Sequence, residues 1–118
     1  MGFNFKVDIP IYLQIIDYLK KEIISKKYKA GEKLPSVREF SMQFEVNPNT
    51  VQKALFELEN MGIIVTERTN GKFVTQNENI IENLKKETIE KMANDFYVSC
   101  IDLGVKKEEI IEILSSKE

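Results

Sequence analysis

Three residues, Glu45-Val46-Asn47, separate two short stretches of helical apolar spacing, and nothing else in the chain narrows its fold so far. Before them, Ser36-Val37-Arg38-Glu39 reads as a capping box, in which the Ser hydroxyl accepts from the Glu39 amide and the Glu39 carboxylate reaches back to the Ser36 amide. The helix opened there carries Val37, Phe40 and Phe44 on one face. After the turn, Asn47-Pro48 supplies an N-cap and an N1 proline. Val51, Ala54, Leu55 and Leu58 then give the next helix one apolar side, up to a stop at Met61-Gly62. Two helices joined so tightly form a helix-turn-helix.

The flanking segments fix what surrounds this pair. Pro10 opens an earlier helix, expected to run to about Lys27, with apolar residues at Tyr12, Ile15, Ile16, Leu19 and Ile23. Ile11, Leu13 and Ile24 broaden its apolar arc, so it packs against two neighbours. Lys29-Ala30-Gly31-Glu32 breaks the pattern, and Leu34-Pro35 predicts a short strand or extended link. Beyond Gly62 the residues Ile63 to Thr66 and Lys72 to Thr75 favour strands, and Asn70-Gly71 between them signals a hairpin. A helix-turn-helix followed by a β-ribbon is a winged helix, whose second paired helix lies in a DNA major groove while the wing reaches beside it.

Gln76-Asn77-Glu78-Asn79 reads as a polar hinge, which divides the chain into a winged helix-turn-helix over 1–76 and a tail over 77–118. In the tail, Ile81, Leu84, Ile89, Met92, Ala93, Phe96, Tyr97, Cys100 and Leu103 follow helical spacing up to Gly104, and Val105 to Ser116 form a last short helix. That stripe is too wide for a small winged domain and one short helix to cover, so a second copy of the chain is expected on it. The fold class is therefore mostly α with a small β-ribbon, ending in a two-helix dimerisation tail.

Composition removes most other functions. The chain of 118 residues contains no His, which excludes imidazole-based triads and zinc sites built on His. Its single cysteine, Cys100, forms no intramolecular disulfide and lies in an apolar helical pattern, where a buried structural role is expected. Most Asp and Glu sit on polar helix faces near Lys, which reads as solvated surface and not as paired catalytic acids. No enzyme activity, metal or cofactor is expected. No run approaches a membrane span, and the N-terminus lacks the basic-then-apolar layout of a signal peptide, so a cytoplasmic protein is expected. Myristoylation of Gly2 is not expected, because Lys6 stands where the motif takes Ser or Thr. The net charge of −2 hides an asymmetry: residues 1–76 carry +2 and residues 77–118 carry −4.

The exposed positions of the two paired helices and the wing are the candidate DNA contacts. Asn47, Pro48, Asn49, Thr50, Gln52 and Lys53 lie at the start of the third helix. Asn and Gln bond adenine bidentately, Thr serves base or phosphate, and Lys reaches guanine or phosphate. Asn47 doubles as a cap. Ser36 and Arg38 begin the second helix, where Arg38 either approaches phosphate together with the helix's positive end or pairs with Glu39 or Glu45. Arg68, Asn70, Gly71 and Lys72 form the wing turn, which either contacts phosphate or the minor groove or is a solubilising tip.

From Pro10 to Thr75, the ordered series Pro10-Ile11-Tyr12-Leu13-Gln14-Ile15, Gly31-Glu32-Lys33-Leu34-Pro35-Ser36-Val37-Arg38-Glu39, Asn47-Pro48-Asn49-Thr50-Val51-Gln52-Lys53-Ala54-Leu55 and Leu58-Glu59-Asn60-Met61-Gly62 resembles the winged-helix domain of GntR-family bacterial regulators. The short tail is similar to that of the YtrA-like branch. The resemblance implies a homodimeric repressor joined through its tail, acting on double-stranded DNA, often at transporter or membrane-stress genes. It also implies DNA contact at Arg38 and Thr50. Two departures are plain: many members carry arginines where Pro48 and Gln52 stand, and the wing has Lys72 where a small residue is usual. Larger relatives add a metabolite-binding domain, for which the forty or so residues after the wing are too few; a cleft between subunits stays open as an effector site. The competing reading is a winged-helix protein-interaction module, separated from the first by salt dependence, which is steep for DNA.

Overall fold

A computed structural model describes residues 3–118 and contains, among them, five helices and one two-stranded sheet. Gly2, and with it the myristoylation reading, lies outside the described residues. The chain divides into two compact units, residues 1–84 and 85–118.

In the first unit, α1 spans Ile11–Ile24 and buries Ile15, Ile16, Leu19 and Ile23, as the three-and-four spacing requires. Pro10 stands one place before the helix, where its carbonyl accepts from the amides of Leu13 and Gln14. The helix stops short of Lys27 because Lys26 turns into the left-handed region at φ 67°. α2 (Val37–Phe44) begins with the expected capping box: Ser36 Oγ accepts from the Glu39 amide at 3.1 Å, and the Ser36 amide donates to Glu39 Oε1 at 2.8 Å. Those bonds, the backbone one first, hold the Glu39 carboxyl below its usual range.

Between the paired helices, Glu45 takes a left-handed conformation at φ 57° and ends α2. The turn is tied by the Val46 amide donating to Ser41 O and by Ser41 Oγ donating to Val46 O at 2.6 Å. α3 (Pro48–Asn60) starts with Asn47 Oδ1 accepting from the Asn49 amide, and buries Val51, Ala54, Leu55 and Leu58. Gly62, at φ 79°, turns the chain out of it.

The wing is the antiparallel pair β1 (Ile64–Glu67) and β2 (Gly71–Val74), with Ile64 opposite Val74 and Thr66 opposite Lys72. Residues 68–70 make the turn, so Asn-Gly is not a two-residue hairpin loop here: Asn70 keeps negative φ and only Gly71 is positive, at 105°. The expected extended link is present as a third edge. Lys33 bridges Phe73, the Leu34 amide donates to Lys72 O at 2.8 Å, and the Val74 amide donates to Glu32 O at 2.9 Å.

These elements enclose one core of Ile15, Leu19, Ile23, Phe40, Phe44, Val51, Leu55, Leu58, Ile64 and Val74, each at most 2 % exposed, together with less deeply buried neighbours. Burying each of the larger side chains stabilises by roughly 1.5–3 kcal/mol. Phe3 and Phe5 pack on this core, with Phe3 and Tyr18 around the Phe44 ring at 4.7 and 5.6 Å between centroids. Ile81 and Leu84, assigned to the dimerisation stripe from their spacing, belong to the core instead, at 5 % and 6 % exposure. The first turns of α4 (Glu78–Asp102) are apolar toward the winged domain, and spacing alone does not reveal which surface a stripe meets. The polar stretch before them is a cap and not a hinge: Asn77 Oδ1 accepts from the Asn79 amide at 3.0 Å.

The second unit holds the remainder of α4 and α5 (Lys107–Ser115), with Gly104 between them. Ile110 is its one buried residue among those described. Ile89, Met92, Ala93, Phe96, Tyr97 and Leu103 are exposed, and Cys100 is half-buried, less than the burial expected for it.

Candidate nucleic-acid interface

α3 divides by side, with one apolar residue, Phe56 at 57 % exposure, on the open side. The same periodicity that buries Val51, Ala54, Leu55 and Leu58 leaves Asn49, Gln52 and Lys53 exposed, with Thr50 half-buried beside them. Asn47 and Pro48 are exposed at its start, and the Asn47 side chain is already engaged as the cap, which leaves Asn49 and Gln52 as the amides free to read a base. Ser36 is likewise spent on the α2 cap, while its neighbour Arg38 is exposed. Among the described residues no ion pair engages Arg38, so the pairing with Glu39 or Glu45 weighed from the sequence is not formed.

Lys53 sits differently from the other cations. Its Nζ lies 4.1 Å from the centroid of the Tyr12 ring, which comes from the first turn of α1. Ile11, Tyr12, Asn49, Thr50 and Lys53 together line an open groove of about 440 Å³. From spacing, Tyr12 reads only as one more position on an apolar arc; the half-buried ring packs against the core and presents a face to Lys53.

The wing holds a second surprise. Lys72 is half-buried, and its Nζ donates to Glu59 Oε1 at 3.1 Å and to Thr66 Oγ1 at 2.9 Å, while the Thr66 hydroxyl donates to Glu59 Oε2. The carboxylate near the end of α3 thus ties both strands of the wing to the helix. Burial pushes the Glu59 carboxyl up, but hydrogen bonds from Thr66 and Lys72 and the Lys72 charge outweigh it and leave the group below its usual range. Lys72 is therefore a tie of the wing and not a free tip cation; the signal available in the sequence was the pair of Glu59 with a cation where this wing pattern takes a small residue. Arg68, Asn70 and Gly71 are exposed at the tip, where Asn70 Nδ2 donates to Glu67 Oε1 at 3.2 Å.

Among the described residues no cluster of His, Cys, Asp or Glu is arranged to hold a metal ion, and no helix is long and apolar enough to cross a membrane.

Comparison with known proteins agrees with this geometry. Residues 11–74 match the family described as bacterial regulatory proteins, gntR family. The chain is similar to the HTH-type transcriptional regulator YhcF of Bacillus subtilis (strain 168), at 38 % identity over 95 % of this chain and 93 % of that protein. It is also similar to the HTH-type transcriptional repressor YtrA of the same organism, at 38 % identity over 88 % of this chain and 84 % of that one. Among solved structures, a GntR family transcriptional regulator from Listeria monocytogenes superposes with a TM-score of 0.90 at 40 % identity, covering 97 % of this chain and all of that one. The DNA-binding domain of AraR, in complex with operator ORR3, matches with a TM-score of 0.56 at 26 % identity, over 62 % of this chain and 88 % of that one.

Proposed function

We propose that this chain, which belongs to the GntR family of bacterial transcriptional regulators, is a cytoplasmic repressor that binds an inverted-repeat operator as a homodimer. The observation that carries the reading is the two-sidedness of α3: Val51, Ala54, Leu55 and Leu58 are buried in the core, and the other side offers Asn49, Gln52 and Lys53, with no ion pair to an acid among the described residues, and beyond them the exposed Phe56, to solvent. A helix placed so presents base-reading amides from its first turns. Arg38 and Thr50 supply the phosphate contacts, with Arg68 at the wing tip. Support for repression comes from the likeness to YtrA, named as a repressor, and support for an operator target from the likeness to AraR bound to one.

The tail supplies the second half. Ile89, Met92, Phe96, Tyr97 and Leu103 are each at least 42 % exposed, an apolar surface of the kind that chains in water cover with a partner. Two copies related by a two-fold axis present their recognition helices to two half-sites, and the linkage raises affinity without new contacts.

Selection of bound fragments from random duplex DNA tests the whole proposal. An inverted-repeat consensus, occupied by a dimer in sedimentation at micromolar protein, is the expected result. A monomer at that concentration, or selection of no sequence, overturns it.

A further inference from the structure

We propose that Tyr12 is a positioning residue for DNA binding: its ring face holds the Lys53 ammonium at the mouth of the groove beside Asn49 and Thr50, ready for a phosphate of the DNA backbone. The inference rests on the DNA-binding reading above and adds to it a residue outside the helix-turn-helix.

The argument is one of charge and order. A lysine carries its cation on a long, flexible stem and loses that freedom when it binds a phosphate, so a lysine held in place beforehand binds more tightly. There are two ways to hold it. A carboxylate fixes the ammonium and cancels its charge, which is what Glu59 does to Lys72 at 3.1 Å. A ring face fixes the ammonium through its quadrupole and leaves the full charge for a polyanion. Lys53 has the second arrangement: its Nζ stands 4.1 Å from the Tyr12 centroid, and no carboxylate among the described residues pairs with it. Tyr12 is itself held, because its ring is half-buried against the core at the start of α1, and α1 packs on α3. Its hydroxyl has no hydrogen-bond partner among the described residues, so the ring and not the phenol group is what Lys53 uses.

The groove gives the pair its outlet. Ile11 and Tyr12 line it from α1, Asn49, Thr50 and Lys53 from the first turns of α3. A phosphate entering it meets a hydroxyl, an amide and a fixed cation on the side of the helix that carries the base-reading residues.

The test uses the full chain and a fluorescein-labelled duplex of mixed sequence, titrated by anisotropy across a series of sodium chloride concentrations. Tyr12→Leu is expected to raise Kd by roughly two- to fivefold, the range an exposed cation–π contact supports, while Tyr12→Phe binds as the parent does. Lys53→Met lowers the magnitude of the log–log salt slope by about one unit, and Tyr12→Leu added to Lys53→Met costs nothing more. In NMR spectra of the free protein, the Lys53 ε-methylene protons are shifted upfield by the ring current in the parent and Tyr12→Phe, and not in Tyr12→Leu. A Tyr12→Phe loss equal to that of Tyr12→Leu assigns the effect to the hydroxyl and overturns the proposal, as does an equal Tyr12→Leu loss in the Lys53→Met background. DNA binding with no upfield shift in the parent overturns the positioning alone. A parent that shows the shift but has no salt-dependent affinity for the duplex overturns the DNA reading, and the use of Lys53 with it.

Discussion

One helix, α4, passes through both units, and the fates of its apolar residues differ by unit. Ile81 and Leu84 are sealed in the winged-helix core; Ile89, Met92 and Phe96, continuing the same spacing, are about half exposed. The first unit closes a core with its own residues, whereas in residues 85–118 only Ile110 is buried. The contrast teaches that periodicity marks a face as apolar without saying what covers it. The cover comes from packing within one unit and, by our proposal, from a second copy in the other.

The contrast is most open to attack at Leu84. Replacing it by Ala is expected to destabilise the protein by about 2–5 kcal/mol, since it empties part of a closed core, and the loss should be the same at every protein concentration. Urea unfolding of the variant at two concentrations checks this; a loss that shrinks on dilution would place Leu84 in an interface after all. Next in size is the tail. Phe96→Asp should leave the unfolding of the first unit in place, convert the sedimenting species to monomer and weaken operator binding on the order of 10²-fold through lost linkage. Unfolding of the winged unit by the same substitution would erase the distinction between the two regions.

Within the first unit the contrast sharpens between base readers and backbone binders. Asn49→Ala or Gln52→Ala should cost about 1–3 kcal/mol at a single base position and spare nonspecific affinity, while Arg38→Ala weakens binding to all sequences alike and lowers the salt slope by roughly one unit. Binding curves on operator and scrambled duplex separate the two patterns. The smallest effect is expected at Glu59. Its carboxyl is held below the usual range in the folded protein, so its stabilising contribution is complete above the unfolded carboxylate pKa and disappears as pH falls through the lower folded value. Glu59→Gln should therefore cost less than about 1 kcal/mol at neutral pH, with the gap to the parent closing in acid. A gap that persists at low pH would show that the ion pair is not its source.

The helix-turn-helix was legible because each of its boundaries is written in local chemistry: the Ser36–Glu39 box, the Asn47 cap with Pro48, and the Gly62 stop are short-range effects that a few residues determine. The exposed face of α3 was legible for the same reason, as the complement of Val51, Ala54, Leu55 and Leu58. The rest required three dimensions. Glu59 and Lys72 lie in different elements, so their pairing follows only once the wing has folded against α3. Tyr12 and Lys53 meet because α1 crosses α3, which no local spacing states. The cap at Asn77 looked like a hinge because polar residues that satisfy a helix end are the same ones that form flexible links.

The third edge of the wing bears on the order in which the unit assembles. Residues 31–34 reach β2 only by closing a loop that contains α2, α3 and β1, through the bonds of Leu34 to Lys72 and of Val74 to Glu32. A two-stranded hairpin alone is marginal in water, although its turn closes within microseconds. The entropy of that long closure is offset only once the helices between the two edges have docked. The wing, written in one short run of sequence, is thus among the last parts of the unit to become permanent in time.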